Sequence, residues 1–233
     1  MGAGRMTQLL LVTVPEPKQP AGIDLRCCSV EELLSNLPDR PALIVADPPW
    51  SYLQAPGVSS PDLQYSTVTD AQIAAWIDGA YDVLTHGRLA LWCTWPKLGE
   101  WWAAADAQGM RWTYKSGGSW HKTGTPGVGH HWRGHSEIVL LYTKGTAITA
   151  PSMLRNAHES QRLKHSEKPV KWMAAWLERW TEPGDLVCDL FAGMAPLARA
   201  CARTGRRYVG AEIDPERYRQ AVDRLALDGG GKR

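Results

Sequence analysis

The sequence Asp-Pro-Pro-Trp at positions 47–50 offers side chains and backbone groups suited to chemistry on an amine. Five small or apolar residues at 42–46 predict a buried parallel strand that ends at Asp47. Pro48 and Pro49 fix the backbone and remove N–H donors, so the Asp47 carboxylate and the Pro48 carbonyl become neighbouring hydrogen-bond acceptors. Because ligands lie beyond the carboxyl ends of strands in open α/β sheets, this turn predicts a catalytic site.

Two acceptors at one turn match the two N–H groups of an exocyclic amine on a nucleobase. Such an amine is a poor nucleophile because its lone pair is delocalised into the ring. We expect Trp50 to stack on the base, a contact worth roughly 1–3 kcal/mol in single-strand binding proteins. The alternative is a turn that only ends a strand, since Asp and Pro are ordinary turn residues. The favoured chemistry is methylation of an amine on a base flipped out of its helix.

A second turn, at residues 191–193, has the outline of a nucleotide-binding βαβ unit. Residues 186–190 predict a buried strand, a helix follows to Thr204, and residues 208–211 predict a strand that ends at Glu212. In such units the turn approaches the ligand and the acidic residue binds the ribose hydroxyls. The alternative is an ordinary βαβ unit with a glutamate on its surface.

This second turn is poor in glycine, because Ala195 and Pro196 stand where a dinucleotide-binding turn needs backbone freedom. A pyrophosphate site is therefore disfavoured. S-adenosylmethionine has no phosphate and suits the turn better, so it is the predicted cofactor.

The rest of the pattern predicts one α/β domain, since 233 residues are enough to bury a sizeable core. Further strands are predicted at 23–28, 88–94, 111–120 and 137–142, and helices at 30–37, 69–84, 97–108 and 166–180. We expect an N-terminal extension at 1–22, the catalytic domain at 23–228 and a disordered tail at 229–233.

Three segments are predicted to be loops that recognise the substrate: 51–67, 121–135 and 144–165. The formal net charge of +2 is too small to indicate a polyanionic partner by itself. Basic residues nevertheless outnumber acidic ones between positions 144 and 171. This segment is either a solvated loop or a surface that contacts a nucleic-acid backbone.

The histidines of the second loop raise the question of a metal site. His130, His131 and His135 could ligate a metal ion, but the neighbouring glycines argue against the helix that would align them. A loop that touches phosphates and bases is favoured, with Lys122, Arg133 and His135 as predicted substrate residues. No metal is predicted.

The apolar residues bear on the core and on the cellular compartment. Trp172, Trp176 and Trp180 recur at helical spacing and are predicted to pack in the core. The cysteines are odd in number and lack paired spacing, which indicates thiols in a reducing compartment. No stretch approaches the roughly 20 apolar residues that a membrane helix needs. We therefore expect a cytoplasmic protein that does not bind membranes.

Together, these motifs resemble the adenine-N6 methyltransferases related to the catalytic subunit of the eukaryotic mRNA adenosine methyltransferase, a family with bacterial and phage members. The resemblance covers roughly residues 23–214. Its marks follow one order: Ile-Asp24-Leu25-Arg, Val-Ala-Asp47-Pro-Pro-Trp50, Tyr65-Ser-Thr67, Leu91-Trp-Cys-Thr94, Trp120-His-Lys122-Thr, His135-Ser-Glu137, Leu140-Leu-Tyr-Thr-Lys-Gly145, His165-Ser-Glu-Lys168-Pro169 and Asp189-Leu-Phe-Ala-Gly193. The catalytic turn precedes the cofactor turn, as in the permuted β-group amino-methyltransferases of DNA.

The resemblance implies a Rossmann-like S-adenosylmethionine-dependent methyltransferase fold of the α/β class, with a mostly parallel sheet, an antiparallel edge and a permuted motif order. It implies that residues 47–50 hold the target amine and that Tyr65 borders the substrate. The implied cofactor residues are Asp24 and Leu25 for adenine, Lys168, Ala211 and Glu212 for the ribose or methionine part, and Asp47, Asp189, Phe191 and Gly193 around them. His121 departs from the aliphatic residue that relatives usually carry.

The predicted activity is methyl transfer to N6 of adenine in nucleic acid, with DNA favoured over RNA, in a bacterial cell or a phage-infected host. Transfer is expected to be direct, without a covalent enzyme intermediate. Cytosine-N4 methylation, RNA methylation and a catalytically silent binding subunit stay open as alternatives. A homodimer is possible.

Overall fold

An eight-stranded sheet organises the chain. The computed structural model describes residues 18–50, 68–124, 134–145, 154–161 and 167–230. The strands are β1 Ile23–Arg26, β2 Leu43–Ala46, β3 Gly87–Cys93, β4 Thr113–Thr123, β5 Ser136–Lys144, β6 Ala157–Gln161, β7 Leu186–Asp189 and β8 Arg207–Ala211. The helices are α1 Val30–Ser35, α2 Asp70–Gly79, α3 Leu98–Gln108, α4 Val170–Trp180, α5 Pro196–Thr204 and α6 Pro215–Gly230, and a short 3-10 helix spans Trp95–Lys97.

The sheet has the order β1-β8-β7-β2-β3-β5-β4-β6. The first five strands of this order are parallel, whereas β5 runs antiparallel to β3 and β4. The predicted α/β fold with a mostly parallel sheet and an antiparallel edge is confirmed. β2 and β7 are direct neighbours although more than half of the chain separates them, so the turn after β2 and the turn after β7 lie at one edge.

Two apolar layers cover the sheet. One layer contains the buried side chains of α4 and α5, and the other contains those of α2 and α3. Trp92 of β3 contacts Trp172 and Trp176 of α4, with ring centroids 5.7 and 5.4 Å apart. These buried indoles confirm the prediction that the α4 tryptophans pack in the core. Trp180 is half-buried and stacks on Trp176.

Two elements differ from the expectation. β6 lies within the segment predicted to be a loop at 144–165, and it pairs in parallel with β4. The sequence of β6, Ala-His-Glu-Ser-Gln, is polar, and its side chains alternate only between exposed and half-buried. The strand is therefore formed through its pairing with β4, since the sequence has no hydrophobic periodicity that would predict it. β4 also extends to Thr123, into the predicted loop at 121–135.

The helix α6 was not predicted at all. The Asp214 carboxylate accepts hydrogen bonds from the N–H groups of Glu216 and Arg217, which caps the helix at its start. α6 ends at Gly230 and so includes the first two residues of the predicted tail. The helix predicted at 166–180 begins at Val170, after Pro169, while Ser166 lies outside the described residues.

None of the helices in the described ranges is both long and apolar enough to cross a membrane. Cys93, Cys188 and Cys201 are buried free thiols.

Candidate active site

Three carboxylates lie at the carboxyl edge of the parallel strands. Asp47 follows β2, Asp189 ends β7 and Glu212 follows β8. The register places Val45 opposite Asp189 and Asp189 opposite Gly210. The predicted catalytic turn and the predicted cofactor turn are therefore brought together by strand pairing, because both strands end at the same level of the sheet.

Asp47 belongs to a charged cluster of four residues: Asp47, Lys168, Glu137 and Lys122. The Lys168 ammonium group lies 2.5 Å from Asp47 Oδ2 and 3.1 Å from Glu137 Oε2. Lys122 forms an ion pair with the other oxygen of Glu137. Lys168 and Glu137 are largely buried, whereas the Asp47 side chain keeps 36% of its surface exposed. The cluster thus leaves the Asp47 carboxylate partly exposed to solvent, while the buried Lys168 ammonium group binds it.

The charges in this cluster compensate for burial to different degrees. Burial alone would lower the pKa of Lys168, but Asp47 and Glu137 overcome this and raise it above its ordinary value. Burial would raise the pKa of Glu137, but the two lysines lower it. For Asp47, burial dominates and raises the pKa of its carboxyl group, with Glu137 adding to the effect and Lys168 opposing it. Lys168 therefore opposes the effect of burial on the pKa of Asp47 and favours the charged form of this carboxylate.

The turn after Asp47 differs from its predicted role. Trp50 is only 6% exposed, its indole N–H donates to the Trp92 carbonyl at 3.2 Å, and its ring meets the edge of Trp101. The prediction that Trp50 stacks on a base is therefore wrong, because its side chain is buried in the core and leaves too little exposed ring surface for a base. The Trp50 backbone N–H donates to the Pro48 carbonyl at 2.8 Å. Pro48 still has a second lone pair, and Pro49 is half-buried beside it.

The second turn is held by Glu212. The carboxylate of Glu212 accepts hydrogen bonds from the backbone N–H groups of Gly193 and Asp214, both at 2.9 Å. Burial raises the pKa of Glu212 despite these two donors. Gly193 has φ 53° and Ala195 has φ 52°, so the turn uses two left-handed residues. For alanine this conformation costs about 1 kcal/mol, which the surrounding buried structure compensates for.

Other predicted cofactor residues line the same turn. Ala211 is buried, and its carbonyl accepts the N–H of Ala192 at 2.8 Å. Phe191 is half-buried against Trp76, with ring centroids 5.7 Å apart. The exposed side chain of Ile213 follows Glu212 directly.

Asp189 is buried beneath both turns. Its carboxylate accepts hydrogen bonds from the Phe191 backbone N–H at 3.3 Å and from the Tyr208 hydroxyl at 3.2 Å. Burial, together with the neighbouring Asp47 and Glu212, raises the pKa of Asp189 to about 7. Asp189, a predicted cofactor residue, is thus buried beside the two turns and bonded to groups of the protein itself.

The edge strand β1 holds the last predicted cofactor residues. Asp24 forms an ion pair with Arg26 at 2.6 Å. The Leu25 side chain is buried, so only its main chain can meet a ligand. That main chain is bound by the side-chain amide of Gln19, which accepts from the Leu25 N–H and donates to its carbonyl, both at 2.8 Å. Nothing in the sequence signalled Gln19, which lies in the predicted N-terminal extension.

Of the predicted substrate residues, the structure describes Lys122 and His135. His135 Nδ1 lies 3.3 Å from the Lys122 carbonyl oxygen, and its ring stacks on His121 at 5.8 Å. Tyr65, Arg133, His130 and His131, and the loop at 51–67, lie outside the described residues. Across the described ranges, no group of three or more His, Cys, Asp or Glu side chains could hold a metal ion.

Comparison with known proteins gives a family and a fold. The sequence matches the N6/N4 methylase family, whose description is DNA methylase, over residues 42–223. YubD of Escherichia coli (strain K12) is 34% identical over 76 residues, which are 33% of this chain and 34% of YubD. The aligned segment thus spans about a third of that relative.

Two solved structures have the same fold. The complex of M1.HpyAVI with SAM has a TM-score of 0.65 and 18% identity, and the match covers 87% of this chain and 99% of that one. The cytosine-N4-specific PvuII DNA methyltransferase has a TM-score of 0.66 and 16% identity, with 92% of this chain and 91% of that one covered. At such identities the likeness establishes the fold alone.

We predict that Asp189 makes stability depend on pH. Its pKa of about 7 in the folded protein exceeds the roughly 3.9 of an unfolded aspartate, so the folded state binds the extra proton between these values. The free energy of unfolding should therefore fall by up to about 4 kcal/mol through this residue as pH rises from 4 to 7. In Asp189→Asn this contribution is absent.

Urea unfolding of both proteins at pH 5 and pH 8 measures the effect. Between pH 5 and pH 8, the free energy of unfolding of the unaltered protein should fall relative to that of Asp189→Asn. Asp223→Asn, which alters an exposed carboxylate of α6, serves as the control. A difference that stays constant with pH contradicts the prediction.

Proposed function

The chain belongs to the DNA methylase family, and we propose that it transfers the methyl group of S-adenosylmethionine to an exocyclic amine of a DNA base, with N6 of adenine as the favoured acceptor. The observation that carries this proposal is the position of the partly exposed Asp47 carboxylate beside the Gly193 turn, at the carboxyl edge of adjacent strands. A methyl donor bound at that turn would face an amine bound at Asp47.

The residues at this edge fit S-adenosylmethionine. A sulfonium cation suits an edge lined by acids, and Glu212 lies at the end of β8, where ribose hydroxyls bind in related folds. We assign Lys168, which already donates to Asp47 and Glu137, to the ribose or methionine part of the cofactor. Asp24 and the Leu25 main chain are assigned to adenine. M1.HpyAVI, which has the same fold, was solved with SAM, and this supports S-adenosylmethionine as the cofactor.

The cofactor supplies an electrophilic methyl group, and the chain's residues prepare the acceptor. The Asp47 carboxylate accepts a hydrogen bond from the amine and stabilises the positive charge that develops on nitrogen. The Pro48 carbonyl accepts a second hydrogen bond. Lys168 favours the charged form of Asp47, and the buried core around Trp50 would hold the turn in place relative to a bound methyl donor, so that the amine could be positioned for in-line transfer. No covalent bond to the enzyme is needed.

The choice of adenine over cytosine rests on Asp47. Enzymes of the cytosine-N4 type more often carry serine at this position, and this chain carries aspartate. Cytosine-N4 methylation is the second candidate, because the PvuII enzyme of that specificity has the same fold. DNA is preferred to RNA as the substrate because of the family match.

We predict that Asp47→Asn lowers methyl transfer by at least about 10³-fold, because a neutral amide accepts more weakly and stabilises charge poorly. Binding of S-adenosylmethionine, measured by calorimetry, should persist, since the cofactor residues other than Asp47 are intact. The rate is measured with tritiated cofactor and genomic DNA. Asp39→Asn, at an exposed carboxylate paired with Arg207, is the matched control. Activity near that of the unaltered protein in Asp47→Asn would refute the role of this carboxylate.

The acceptor base is identified by digesting DNA from cells that express the protein. Mass spectrometry of the nucleosides should show more N6-methyladenine than in cells that lack the protein, and Asp47→Asn should give little or none of this increase. N4-methylcytosine in place of N6-methyladenine would establish the second candidate and overturn the preference for adenine.

Gln19 is predicted to compete with the cofactor's adenine. Its amide presents an acceptor and a donor to Leu25, as N1 and the N6 amine of adenine would. Adenine must displace Gln19 to bind there, and so must break the two hydrogen bonds between Gln19 and Leu25. Gln19→Ala lacks these bonds and should therefore bind S-adenosylmethionine about five- to tenfold more tightly. Calorimetry measures this, with Gln72→Ala on exposed α2 as the control. Weaker binding by Gln19→Ala would mean that Gln19 supports the site instead.

A further inference from the structure

An exposed indole lies beside the catalytic turn. Trp95 is the first residue of the 3-10 helix that follows β3, and 56% of its surface is exposed. β3 pairs with β2, with Leu91 opposite Ala46. The chain after β3 therefore runs beside the turn at 47–50, and the hydrogen bond from the Trp50 indole to the Trp92 carbonyl joins the two segments.

The Trp95 ring is held in place although it is exposed. Its N–H donates to the Ser136 hydroxyl at 2.9 Å. Ser136 begins β5, so the ring is fixed between the end of one strand and the start of another. This bond uses the only polar atom of the indole, and what remains exposed is flat and apolar. A fixed, exposed ring is suited to stacking because little conformational entropy is lost when a partner binds.

The position distinguishes Trp95 from other exposed aromatic residues. Among the described residues, the other exposed large aromatic side chains are Trp102 and Tyr114, which pack edge to face on each other. Tyr114 lies opposite Tyr142, near the far end of β5, away from the charged cluster. Within the described ranges, Trp95 is the one exposed large apolar aromatic side chain that lies beside the turn carrying Asp47.

The surroundings of Trp95 are polar. Ser136 lies opposite His121, whose ring stacks on His135. A protein partner would favour an apolar core around the ring, whereas a nucleic acid offers a flat base to the ring and polar groups to its neighbours. The polar surroundings, the position beside the catalytic turn and the match to a DNA methylase family therefore favour a nucleobase as the occupant.

We propose that Trp95 stacks on a nucleobase of the DNA strand that enters the active site. This inference rests on the proposed function, and it assigns to Trp95 the stacking contact that the buried Trp50 cannot make. Base stacking on an aromatic residue is largely independent of sequence. Trp95 therefore supplies affinity for an unpaired or extruded region of DNA and does not select the target sequence.

The test compares two single-stranded polymers of equal length: oligodeoxyadenylate and an abasic strand with the same phosphates. Affinity is measured by fluorescence anisotropy, with S-adenosylhomocysteine present. Trp95→Ala should bind oligodeoxyadenylate about 10- to 100-fold more weakly and the abasic strand unchanged. Trp95→Phe keeps a ring and should retain most of the affinity. Trp102→Ala, at the distant exposed tryptophan, should bind both polymers normally.

Three outcomes overturn the proposal. Unchanged binding of oligodeoxyadenylate by Trp95→Ala removes the stacking contact. An equal loss for both polymers indicates a structural or backbone role. A change confined to self-association in sedimentation assigns the ring to an interface between copies of this chain. Calorimetry with S-adenosylmethionine separates the proposed function from the role of Trp95. If the unaltered protein fails to bind the cofactor, the result counts against the proposed function. If it binds normally, a negative result in the DNA-binding test counts against the role of Trp95 only.

Discussion

The buried ammonium group of Lys168 is the constraint on which the active site depends. It lies between Asp47 and Glu137, which come from the turn after β2 and from β5. A buried cation that loses a carboxylate partner costs about 3 to 5 kcal/mol, so the three segments that carry these charges must stay together. One ion cluster thus joins the parallel half of the sheet to its antiparallel edge. It also fixes the direction of the one carboxylate that remains open to a substrate.

Three carboxylates share this edge, and each is accommodated differently. Asp47 has Lys168 as its partner, and Glu212 accepts two backbone N–H groups. Asp189 has only a hydroxyl and a backbone donor, and its pKa of about 7 lets it hold a proton near neutral pH. The repulsion among the three acids is relieved because Asp189, the most deeply buried of them, can hold a proton. At Asp47 and Glu212, the Lys168 ammonium group and the backbone N–H groups oppose the effect of burial and favour the charged carboxylate, which suits a cationic cofactor.

Much of the fold was predictable because local signals agreed with it. The apolar runs before Asp47 and Asp189 mark buried strands, and Thr69 caps α2 through the Gln72 N–H as its position suggests. β6 and α6 were missed for different reasons. The polar residues of β6 become a strand only through pairing with β4. The residues of α6, in contrast, carry a helical pattern in their own sequence. The role predicted for Trp50 failed because a sequence does not reveal which of its tryptophans the core will take.

The site residues found only in the structure have partners distant in sequence. Glu137 meets Lys168 across 31 positions, so neither spacing nor composition indicates the contact. Trp95 is comparable, since its fixed orientation depends on Ser136, which is 41 positions away. Its exposure also depends on a second tryptophan: Trp50 fills the core beneath the turn and bonds to the end of β3, and the chain that follows β3 then carries Trp95 outward. The burial of one indole and the exposure of the next are two results of one packing arrangement, and the aromatic surface available to a base is set by that arrangement and not by the motif alone.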